Sequence, residues 1–479
     1  MLPGPGPGRR SRRPGPGDRP LQEGRRMTVS VILFTSDLRV HDQPALAAAV
    51  READEVVPLF VLDRGVRRSG FDAPNRLAFL ADSLTALDEE LRERGGRLVL
   101  RTGDVAEQVG RVVTETGART VHLAAGVSAY ARRREDRLRA GLSGLRCGLR
   151  VHEGVITVVP PGAVTPANRD HFAVFTPYFR RWAEVAPRRV LAAPRSLTVP
   201  ELPGHPLPRR RSVTGTAPAL ARGGEREGRE RLRRWLARDL DGYAEHHDDL
   251  PGDATSRLSP HLHFGTLSAA ELVQRARGRG GPGAQAFVRQ LAWRDFHHQV
   301  LAARPDAAHA DYRPRGDRWR GDEREIAAWK EGRTGCPVVD AGMRQLRHEG
   351  WMHNRARLLT ASYLTKTLYT DWRVGARHFL ELLVDGDIAD NQLNWQWVAG
   401  TGTDTRPGRV LSPLAQARRF DPHGAYVRRW VPELADLGDR EIHSPETLDP
   451  ARRARLGYPD PLIDPAEGRA RFRRARGLD

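Results

Sequence analysis

The stretch VSVILFTSDLRVHD, residues 29–42, decides the class of fold. Its first six residues form an apolar, β-branched run that predicts a buried strand, and the turn TSDLRVHD follows. Further apolar runs lie near Val57, Leu98 and Val121, and helical stretches separate them at residues 75–93 and 104–116. Because strands that alternate with helices pair in parallel, the sequence predicts a doubly wound α/β domain with a parallel sheet.

The turn after the first strand excludes one common use of such a sheet. A dinucleotide-binding domain carries the motif G-x-G-x-x-G here, where glycines let the backbone approach a pyrophosphate. This sequence has DLRVHD, residues 37–42, instead. We therefore do not expect an ordinary NAD-binding domain.

The chain divides into four parts by composition. Residues 1–27 are rich in Pro, Gly and Arg, so we expect a disordered basic tail, and translation could start at Met1 or at Met27. Residues 28–154 form the α/β domain. The segment 155–225 is a Pro-rich linker between domains.

The last part, residues 226–479, is a larger all-α domain. Its apolar residues recur with helical period, and no repeat of fixed length is evident. The periodic segments are 227–242, 268–277, 284–302, 338–349, 353–369 and 375–384.

Charge favours a polyanionic partner. The 479 residues include 78 Lys and Arg against 60 Asp and Glu, a formal net charge of +18. Such an excess is typical of proteins that bind nucleic acid. Codon bias is the alternative, since Lys330 and Lys366 are the only lysines, but it explains Arg over Lys and not the excess over acids.

Membrane and secreted classes are excluded by the same composition. No uncharged apolar run approaches the ~18–20 residues of a membrane span, and no secretory signal is recognisable. Two cysteines, Cys147 and Cys336, cannot build a disulfide framework or a cysteine-rich zinc site. We expect a cytoplasmic protein, and we assign no metal site.

Candidate chemistry lies in the helical domain, where seven of the ten tryptophans fall between Trp293 and Trp397. In AFVRQLAWRDF, residues 286–296, helical spacing puts Gln290, Trp293 and Arg294 on adjoining faces. That grouping is typical of a polar and aromatic binding site. An amphipathic helix with one core tryptophan is the alternative.

Two later segments extend this chemistry. In GWMHNRARLLTASYL, residues 350–364, Arg355 and Arg357 point apart, so one can pair with a buried carboxylate while the other meets solvent or phosphate. The segment DGDIADNQLNWQWVAGTGTD, residues 385–404, interleaves carboxylates and amides with two tryptophans. These groups suit Mg²⁺ binding, acid–base work or hydrogen bonding to a flat heterocycle.

Together these segments resemble the photolyase and cryptochrome family. The resemblance covers residues 28–434 in matching order and is strongest to class I cyclobutane pyrimidine dimer photolyases. Its other motifs are TSRLSPHLHFG (255–265), EGRTGCPVVDAGMRQLRHEGWMHNRAR (331–357) and FDPHGAYVRRWVPEL (420–434). It implies an antenna-type α/β domain followed by a helical catalytic domain that binds FAD.

The resemblance implies specific cofactor contacts. Positions that hold the FAD phosphates and ribitol are matched by Tyr243, Thr255, Ser256, Leu258 and Ser259. Positions that contact the flavin ring and adenine are matched by Arg294, Asp385, Asp387 and Asn391. Arg357 matches the ion-pair partner of Asp385, and Asn354 matches the residue that faces the flavin N5 atom.

The resemblance also implies the reaction and its DNA contacts. The activity is light-driven repair of cyclobutane pyrimidine dimers by electron transfer from excited FADH⁻ to a flipped-out dimer, the work of a carbon–carbon lyase. Trp293 and Trp397 match the walls of the dimer pocket, while Arg355 and Arg409 match phosphate contacts at its rim. The electron-transfer chain of the family is matched by Trp395, Trp372 and Trp319.

Two residues of the implied pocket depart from the class I pattern. Gln290 stands where Glu is usual, and Leu358 stands where Met is usual. These changes support an alternative function, that of a cryptochrome-like blue-light photoreceptor that binds FAD and has weak or no repair activity. Asn354 and the two pocket tryptophans favour repair, and we expect slower repair rather than none.

The remaining expectations concern the antenna and the assembly. The Asn-Glu pair that anchors a folate antenna is replaced by Ala131 and Arg132, so a deazaflavin antenna is favoured over folate. We expect a monomer that acts on dimer-containing DNA and is nucleoid-associated through that DNA. No membrane partner is expected.

Overall fold

The computed structural model describes residues 27–478, together with residues 1 and 4. The tail expected at residues 1–27 therefore lies almost wholly outside the described residues. The described chain begins with an α/β unit and continues into a unit built of helices. This architecture confirms the class of fold predicted from the sequence.

One parallel sheet forms the core of the α/β unit. Its strands are β1 (Val29–Phe34), β2 (Glu55–Asp63), β3 (Val99–Gly103), β4 (Thr120–Ala124) and β5 (Gly148–His152). Their order across the sheet is β3-β2-β1-β4-β5, and Val31 of β1 lies opposite Val57 and Val121. Because the chain winds outward from β1 in both directions, the sheet is doubly wound.

Helices cover both faces of this sheet. They are α1 (Pro44–Glu52), α2 (Arg64–Arg68), α3 (Pro74–Arg92), α4 (Val105–Thr116) and α5 (Ala129–Ser143). Ile32 packs in one core with Leu84 of α3, and Val31 packs in the other with Val109 of α4. Successive residues of a strand point to opposite faces, which explains why β1 is buried at all six positions and apolar at all but Ser30.

A long connection joins the two units. Residues 153–224 contain α6 (Phe175–Glu184) and a short 3₁₀ turn at Arg210–Ser212. Trp182 of α6 donates its indole N–H to the buried carboxylate of Asp295 at 2.9 Å. That carboxylate also accepts the backbone N–H of Val159 at 2.9 Å, so the connection is fixed to the helical unit.

The helical unit follows, and no described helix has the length and apolar character that crossing a bilayer requires. A π-helical turn, Tyr363–Thr367, follows its eighth helix. The helices are α7 (Glu225–Arg238), α8 (Tyr243–His246), α9 (Ser259–His263), α10 (Ala269–Arg279), α11 (Gly281–Ala303), α12 (Glu323–Glu331), α13 (Pro337–Glu349), α14 (Asn354–Ser362), α15 (Trp372–Leu382), α16 (Ile388–Ala399), α17 (Pro413–Phe420), α18 (Ala425–Trp430), α19 (Pro450–Arg455) and α20 (Pro465–Ala475).

The turn after β1 binds the two units together. Arg39 is 1% exposed and donates to the carbonyl oxygens of Gly265, at 2.9 Å, and Val155, at 3.0 Å. The Glu225 carboxylate at the start of α7 accepts the backbone N–H of Val40 at 2.8 Å. The motif DLRVHD is therefore a structural joint, since its buried arginine satisfies carbonyl groups that the packing of the two units removes from water.

A second joint reaches the end of α15. Arg76 of α3 donates to the carbonyl oxygen of Leu383 at 2.8 Å, just before the DGD segment. Burial lowers the pKa of Arg76 to about 10, although nearby Asp385 opposes that effect. The α/β unit thus fixes the chain on which the carboxylates of the candidate site lie.

The first prediction concerns Gly265, which sits at the first joint with a φ of +64°. A Cβ there would lie 2.0 Å from the carbonyl oxygen of Ser36, so Gly265→Ala must move backbone against backbone. We expect the free energy of unfolding to fall by ~1–3 kcal/mol or more, which circular dichroism would measure as a lower thermal midpoint.

Gly278→Ala is the matched control for this experiment. Gly278 lies inside α10, and a Cβ there meets open space. Alanine should stabilise the helix by ~0.5–1 kcal/mol. Equal midpoints for the two variants would show that Gly265 is not a joint.

Candidate functional site

A cavity of about 410 Å³ opens among the helices of the helical unit. Its wall is built from α9, α11, α14, α16 and the DGD segment between α15 and α16. The residues singled out from the sequence that line it are Tyr243, Thr255, Ser256, Leu258, Ser259, Gln290, Trp293, Arg294, Asn354, Arg357, Leu358, Asp385, Asp387, Asn391, Trp395 and Trp397. Trp319, Trp372, Arg355 and Arg409 lie outside this lining.

An ion pair fixes one side of the cavity. Arg357 of α14 donates to Asp385 at 2.8 Å, and the Asp385 side chain is only 2% exposed. The same guanidinium donates through Nε to the carbonyl oxygen of Met352 at 2.8 Å. Because the arginine is held at two points, it presents its charge to Asp385 in a single orientation.

Three buried polar atoms on the cavity wall have no hydrogen-bonding partner among the described residues. They are Oγ1 of Thr255, Nδ1 of His263 and Oδ1 of Asp385. A buried polar group left unpaired costs about 1–3 kcal/mol. Their convergence on one cavity indicates a polar ligand with several hydrogen-bonding groups.

Asp387 forms a second charged pair at the start of α16. Its carboxylate accepts the backbone N–H of Asp390 at 3.0 Å and lies 3.4 Å from Nε2 of His298. Burial opposes its ionisation, but His298 and Arg294 outweigh that effect and hold the pKa of Asp387 below its usual range. Burial likewise opposes the charge on His298, and Asp387 outweighs it, so the pKa of His298 is raised.

The facing wall belongs to α11. The ring of Trp293 stacks on that of Phe175, with centroids 3.7 Å apart and planes within 5°. Gln290 is exposed one turn earlier. Arg294 is 8% exposed and donates to the carbonyl oxygen of Ile156 at 2.8 Å, so the connecting segment holds it in place.

Two amides take different positions. His353 caps α14, since its ring Nδ1 accepts the backbone N–H of Arg355 at 3.2 Å. Asn354 is therefore the first helical residue, and it is exposed at the cavity. Asn391 is buried and donates to the carbonyl oxygen of Ala376 at 3.0 Å, which ties α16 to α15.

The two arginines expected to contact phosphate lie apart from the cavity wall. Arg355 donates through Nε to Asp248 at 3.3 Å, and its guanidinium lies 4.4 Å from the ring centroid of Phe420. Arg409 is exposed in the segment between α16 and α17. A phosphate would meet Arg409 directly but would compete with Asp248 for Arg355.

The three tryptophans of the expected relay occupy different depths. Trp395 lines the cavity and is 2% exposed. Trp372 is fully buried and donates its indole N–H to Asp311 at 2.8 Å. Trp319 is half-buried and is not one of the residues that line the cavity.

α15 and α16 pack closely behind the cavity. A Cβ on Gly375 of α15 would lie 2.2 Å from the ring of Trp395, so only glycine permits this approach. Trp372 begins the same helix, one turn before Gly375. The close approach therefore brings the helix that carries Trp372 against the indole that lines the cavity.

Sequence reasoning missed several residues of the wall. His297 pairs with Asp390 at 2.8 Å, and both line the cavity. His297 follows Trp293 by four residues, and that helical spacing could have placed it on the same face. One possible ligand atom from each of His298, Asp387 and Asp390 lies within 4.8 Å of the other two, which is the spacing of a metal-binding group. No metal site was assigned there from the sequence.

Comparison with known proteins identifies relatives over the whole fold. Residues 30–200 match the family described as DNA photolyase, and residues 287–477 match the FAD binding domain of DNA photolyase. The deoxyribodipyrimidine photo-lyase of Streptomyces griseus is 64% identical over 455 residues, which cover 95% of this chain and all of that protein. The photo-lyase of Escherichia coli is 32% identical over 92% of this chain and 97% of that protein.

Solved structures agree with these relatives. A class III photolyase from Agrobacterium tumefaciens superimposes with a TM-score of 0.88 at 31% identity, covering 95% of this chain and 98% of that one. A cryptochrome from Synechocystis superimposes with a TM-score of 0.84 at 28% identity, covering 94% of this chain and 99% of that one.

The charged pair at α16 gives a prediction on pKa. Asp387→Asn keeps an oxygen that can cap α16 but removes the charge that faces His298. Burial, together with the nearby Arg294 cation, should then outweigh the remaining attraction of Asp390, so the pKa of His298 should fall from above to below the ordinary imidazole value of about 6.5. NMR titration of histidine-labelled protein measures it, with His298→Gln to assign the signal.

The pair of Asp387 and His298 also predicts how the stability difference between Asp387→Asn and the unaltered protein changes with pH. The raised pKa of His298 stabilises the fold below about pH 6.5, and this contribution is lost as the pH rises through the raised value. The deficit in thermal midpoint of Asp387→Asn should therefore shrink at alkaline pH. An unchanged His298 titration in the variant would contradict the pairing.

Proposed function

The chain belongs to the DNA photolyase family and functions in the light-driven repair of pyrimidine dimers in DNA, and we propose that its cavity is where FAD and the dimer meet. One observation carries this proposal. The cavity has unpaired buried polar atoms and an ion pair on one side, and the indoles of Trp293 and Trp397 on another. A polar cofactor and a flipped-out pyrimidine dimer need these two kinds of surface.

The donor set of the cavity fits FAD. Thr255, Ser256 and Ser259 offer hydroxyl groups suited to the phosphates and ribitol, close to where α9 begins. The unpaired Oδ1 of Asp385 suits an N–H group of a heterocycle, because a carboxylate only accepts hydrogen bonds. Bound in reduced form, FAD would supply the electron that passes to the dimer on illumination and returns after the cyclobutane ring has opened.

The side chains around FAD have separate tasks in this proposal. Arg357 keeps Asp385 ionised and oriented, and His298 with Arg294 keeps Asp387 ionised. Asn354 offers a neutral amide to the flavin N5 region, which adds no charge to a reduced ring. Asn391 and Tyr243 complete the wall.

The dimer would be held at the mouth of the same cavity. Trp293 is rigid because it stacks on Phe175, so it offers a fixed apolar wall to a flipped base. Trp397 lines the cavity as well, while Gln290 and Leu358 supply one polar and one apolar contact. Arg409 and, after exchange with Asp248, Arg355 would neutralise phosphates at the rim.

The tryptophans would carry electrons between the flavin and the surface. Trp395 lines the cavity, Trp372 lies on the helix packed against it, and Trp319 is half-buried. Short steps between oxidisable indoles replace one long step, which keeps transfer fast. The relay activates the cofactor and takes no part in holding the dimer.

The second chromophore, the compartment and the assembly complete the proposal. Ala131 and Arg132 at the start of α5 lack the pair that anchors folate, which supports a deazaflavin antenna. We propose that the protein acts as a monomer on DNA in the cytoplasm, associated with the nucleoid through that DNA. Repair is favoured over light sensing because relatives that span nearly the whole chain are named photo-lyases.

A direct assay tests the proposal. The reduced, flavin-loaded protein is illuminated with an oligonucleotide that carries one thymine dimer, and restored thymines are counted. We expect repair in the light and none in the dark. Intact dimers after illumination of protein that still binds FAD would contradict the proposed pocket.

Gln290 gives the sharpest prediction on rate. An amide can donate a hydrogen bond to a thymine carbonyl but cannot supply a proton to the anion that develops there, whereas a protonated carboxyl can do both. Gln290→Glu should therefore raise the quantum yield of repair. The free energy of binding to dimer-containing DNA should change by no more than ~1–2 kcal/mol, the contribution of one hydrogen bond.

Gln285→Glu is a matched control, since Gln285 is exposed on the same helix, α11, and is not part of the cavity lining. Its quantum yield should equal that of the unaltered protein. Equal yields for Gln290→Glu and this control would show that the residue does not act on the dimer.

A further inference from the structure

A buried polar cluster lies against Trp319, away from the cavity. Tyr369 is 3% exposed, and its ring centroid lies 4.9 Å from that of Trp319. Its hydroxyl donates to Asp317 at 2.7 Å. The Asp317 side chain is 1% exposed and accepts two more hydrogen bonds from Arg476, one through Nε and one through Nη2 at 2.7 Å.

The backbone holds Tyr369 in this position at a cost. Its φ is +56°, a left-handed conformation that is strained for a tyrosine. The carbonyl oxygen of Tyr369 accepts the backbone N–H of Arg320 at 2.9 Å, next to Trp319. Residues held in strained conformations cluster at functional sites, so this outlier singles out the phenol and its indole neighbour.

Arg476 completes the cluster from the end of α20. Its guanidinium is 5.9 Å from the ring centroid of Trp319, and it also donates to the carbonyl oxygen of Ala399 at 3.0 Å. A fixed cation beside an indole disfavours a second positive charge on that indole. The nearby arginine would therefore make the positive charge of an oxidised Trp319 unfavourable.

We propose that Tyr369 is the terminal electron donor of the tryptophan relay, with Asp317 as the acceptor of its phenolic proton. This inference rests on the proposed function, which makes Trp319 the outermost indole. Tyr369 is already in contact with that indole, and its proton already points at a carboxylate, so no group needs to move.

The step balances in electrons and protons. One electron passes from the phenol of Tyr369 to the Trp319 radical cation, which becomes neutral indole. The phenolic O–H bond breaks, the proton bonds to the Asp317 carboxylate, and a neutral tyrosyl radical remains. The oxidant is the one-electron photo-oxidant at the inner end of the relay, excited oxidised flavin in the proposed function.

The step moves the positive charge off the aromatic rings. Before the step, a radical cation lies beside the ion pair of Arg476 and Asp317, and after it both rings are neutral and the positive charge remains on Arg476, whose carboxylate partner has taken the proton. Burial, and next the hydrogen bond to Asp317, raise the pKa of the resting Tyr369 phenol to about 12, so its proton stays in place until oxidation. Once oxidised, a phenol is a strong acid and the waiting carboxylate takes the proton.

The test is the identity of the radical that light leaves on the protein. Flavin-loaded protein with ring-deuterated tyrosine is flashed without added reductant, frozen and examined by electron paramagnetic resonance. We expect a tyrosyl signal that deuteration narrows. Tyr369→Phe should lose this signal and leave a tryptophan radical, with a shorter lifetime of the charge-separated state.

Tyr458→Phe is the matched control. Tyr458 is also buried and also donates to a buried carboxylate, Asp340, but among the described residues no tryptophan ring contacts it. Its variant should keep the tyrosyl signal. Asp317→Asn should lose it, because the phenol then has no base to take its proton.

Different outcomes separate this inference from the proposed relay. A tryptophan radical in the unaltered protein, or a tyrosyl signal that survives Tyr369→Phe, overturns the inference and leaves the relay standing. No protein radical at all overturns both. Oxidation by the ruthenium(III) tris-bipyridine complex repeats the comparison without excitation of the flavin, because a flash at a wavelength beyond the flavin absorption generates this oxidant in the presence of persulfate. It should give the same tyrosyl signal.

Discussion

The ion pair between Arg357 and Asp385 is the interaction on which the site depends. It joins α14 to the segment between α15 and α16, and within the described part of the chain only one oxygen of the Asp385 carboxylate accepts a hydrogen bond. The other oxygen is buried and unpaired, a state that a ligand would relieve. Arg76 of the α/β unit holds the neighbouring carbonyl of Leu383, so the position of this carboxylate also depends on contacts between the two units.

The site divides its chemistry by location. Charged and hydrogen-bonding groups surround the inner part of the cavity, where Asp387 stays ionised against His298. Aromatic walls are supplied by Trp293 and Trp397. The oxidisable residues continue behind the cavity and end at the cluster of Trp319, Tyr369 and Asp317. In the proposed function, one helical unit therefore combines cofactor binding, an aromatic surface for the substrate and a path for electrons.

Much of this was predictable from the sequence where the signal is local. The β-branched run at Val29–Phe34 is buried on both faces, so its apolar pattern is unambiguous. The edge strand Gly148–His152 was missed, because it is partly exposed and carries polar residues. The helix predicted over 353–369 instead widens at Tyr363–Thr367, where the Thr365 hydroxyl donates to the carbonyl oxygen of Ala361 and competes with the helical ladder.

Contacts between distant residues were beyond sequence reasoning. His297 pairs with Asp390 of α16, and His298 pairs with Asp387, which caps that helix, so both partners lie about 90 residues later in the chain. The stacking of Trp293 on Phe175 and the contact of Tyr369 with Trp319 likewise join separate segments. Residue types and helical spacing gave most of the wall of the cavity, but they could not give the pairing that sets its charges.

Flavin content of Asp385→Asn tests the central claim most directly. Asparagine fills the same space but leaves Arg357 without its charge partner, a loss of about 3–5 kcal/mol for a buried pair. The variant should fold, as judged by circular dichroism, and bind FAD at least about a hundredfold more weakly. Asp439→Asn, a substitution of an exposed carboxylate away from the cavity, should bind FAD normally. Full FAD occupancy in Asp385→Asn, with unchanged affinity, would contradict the account.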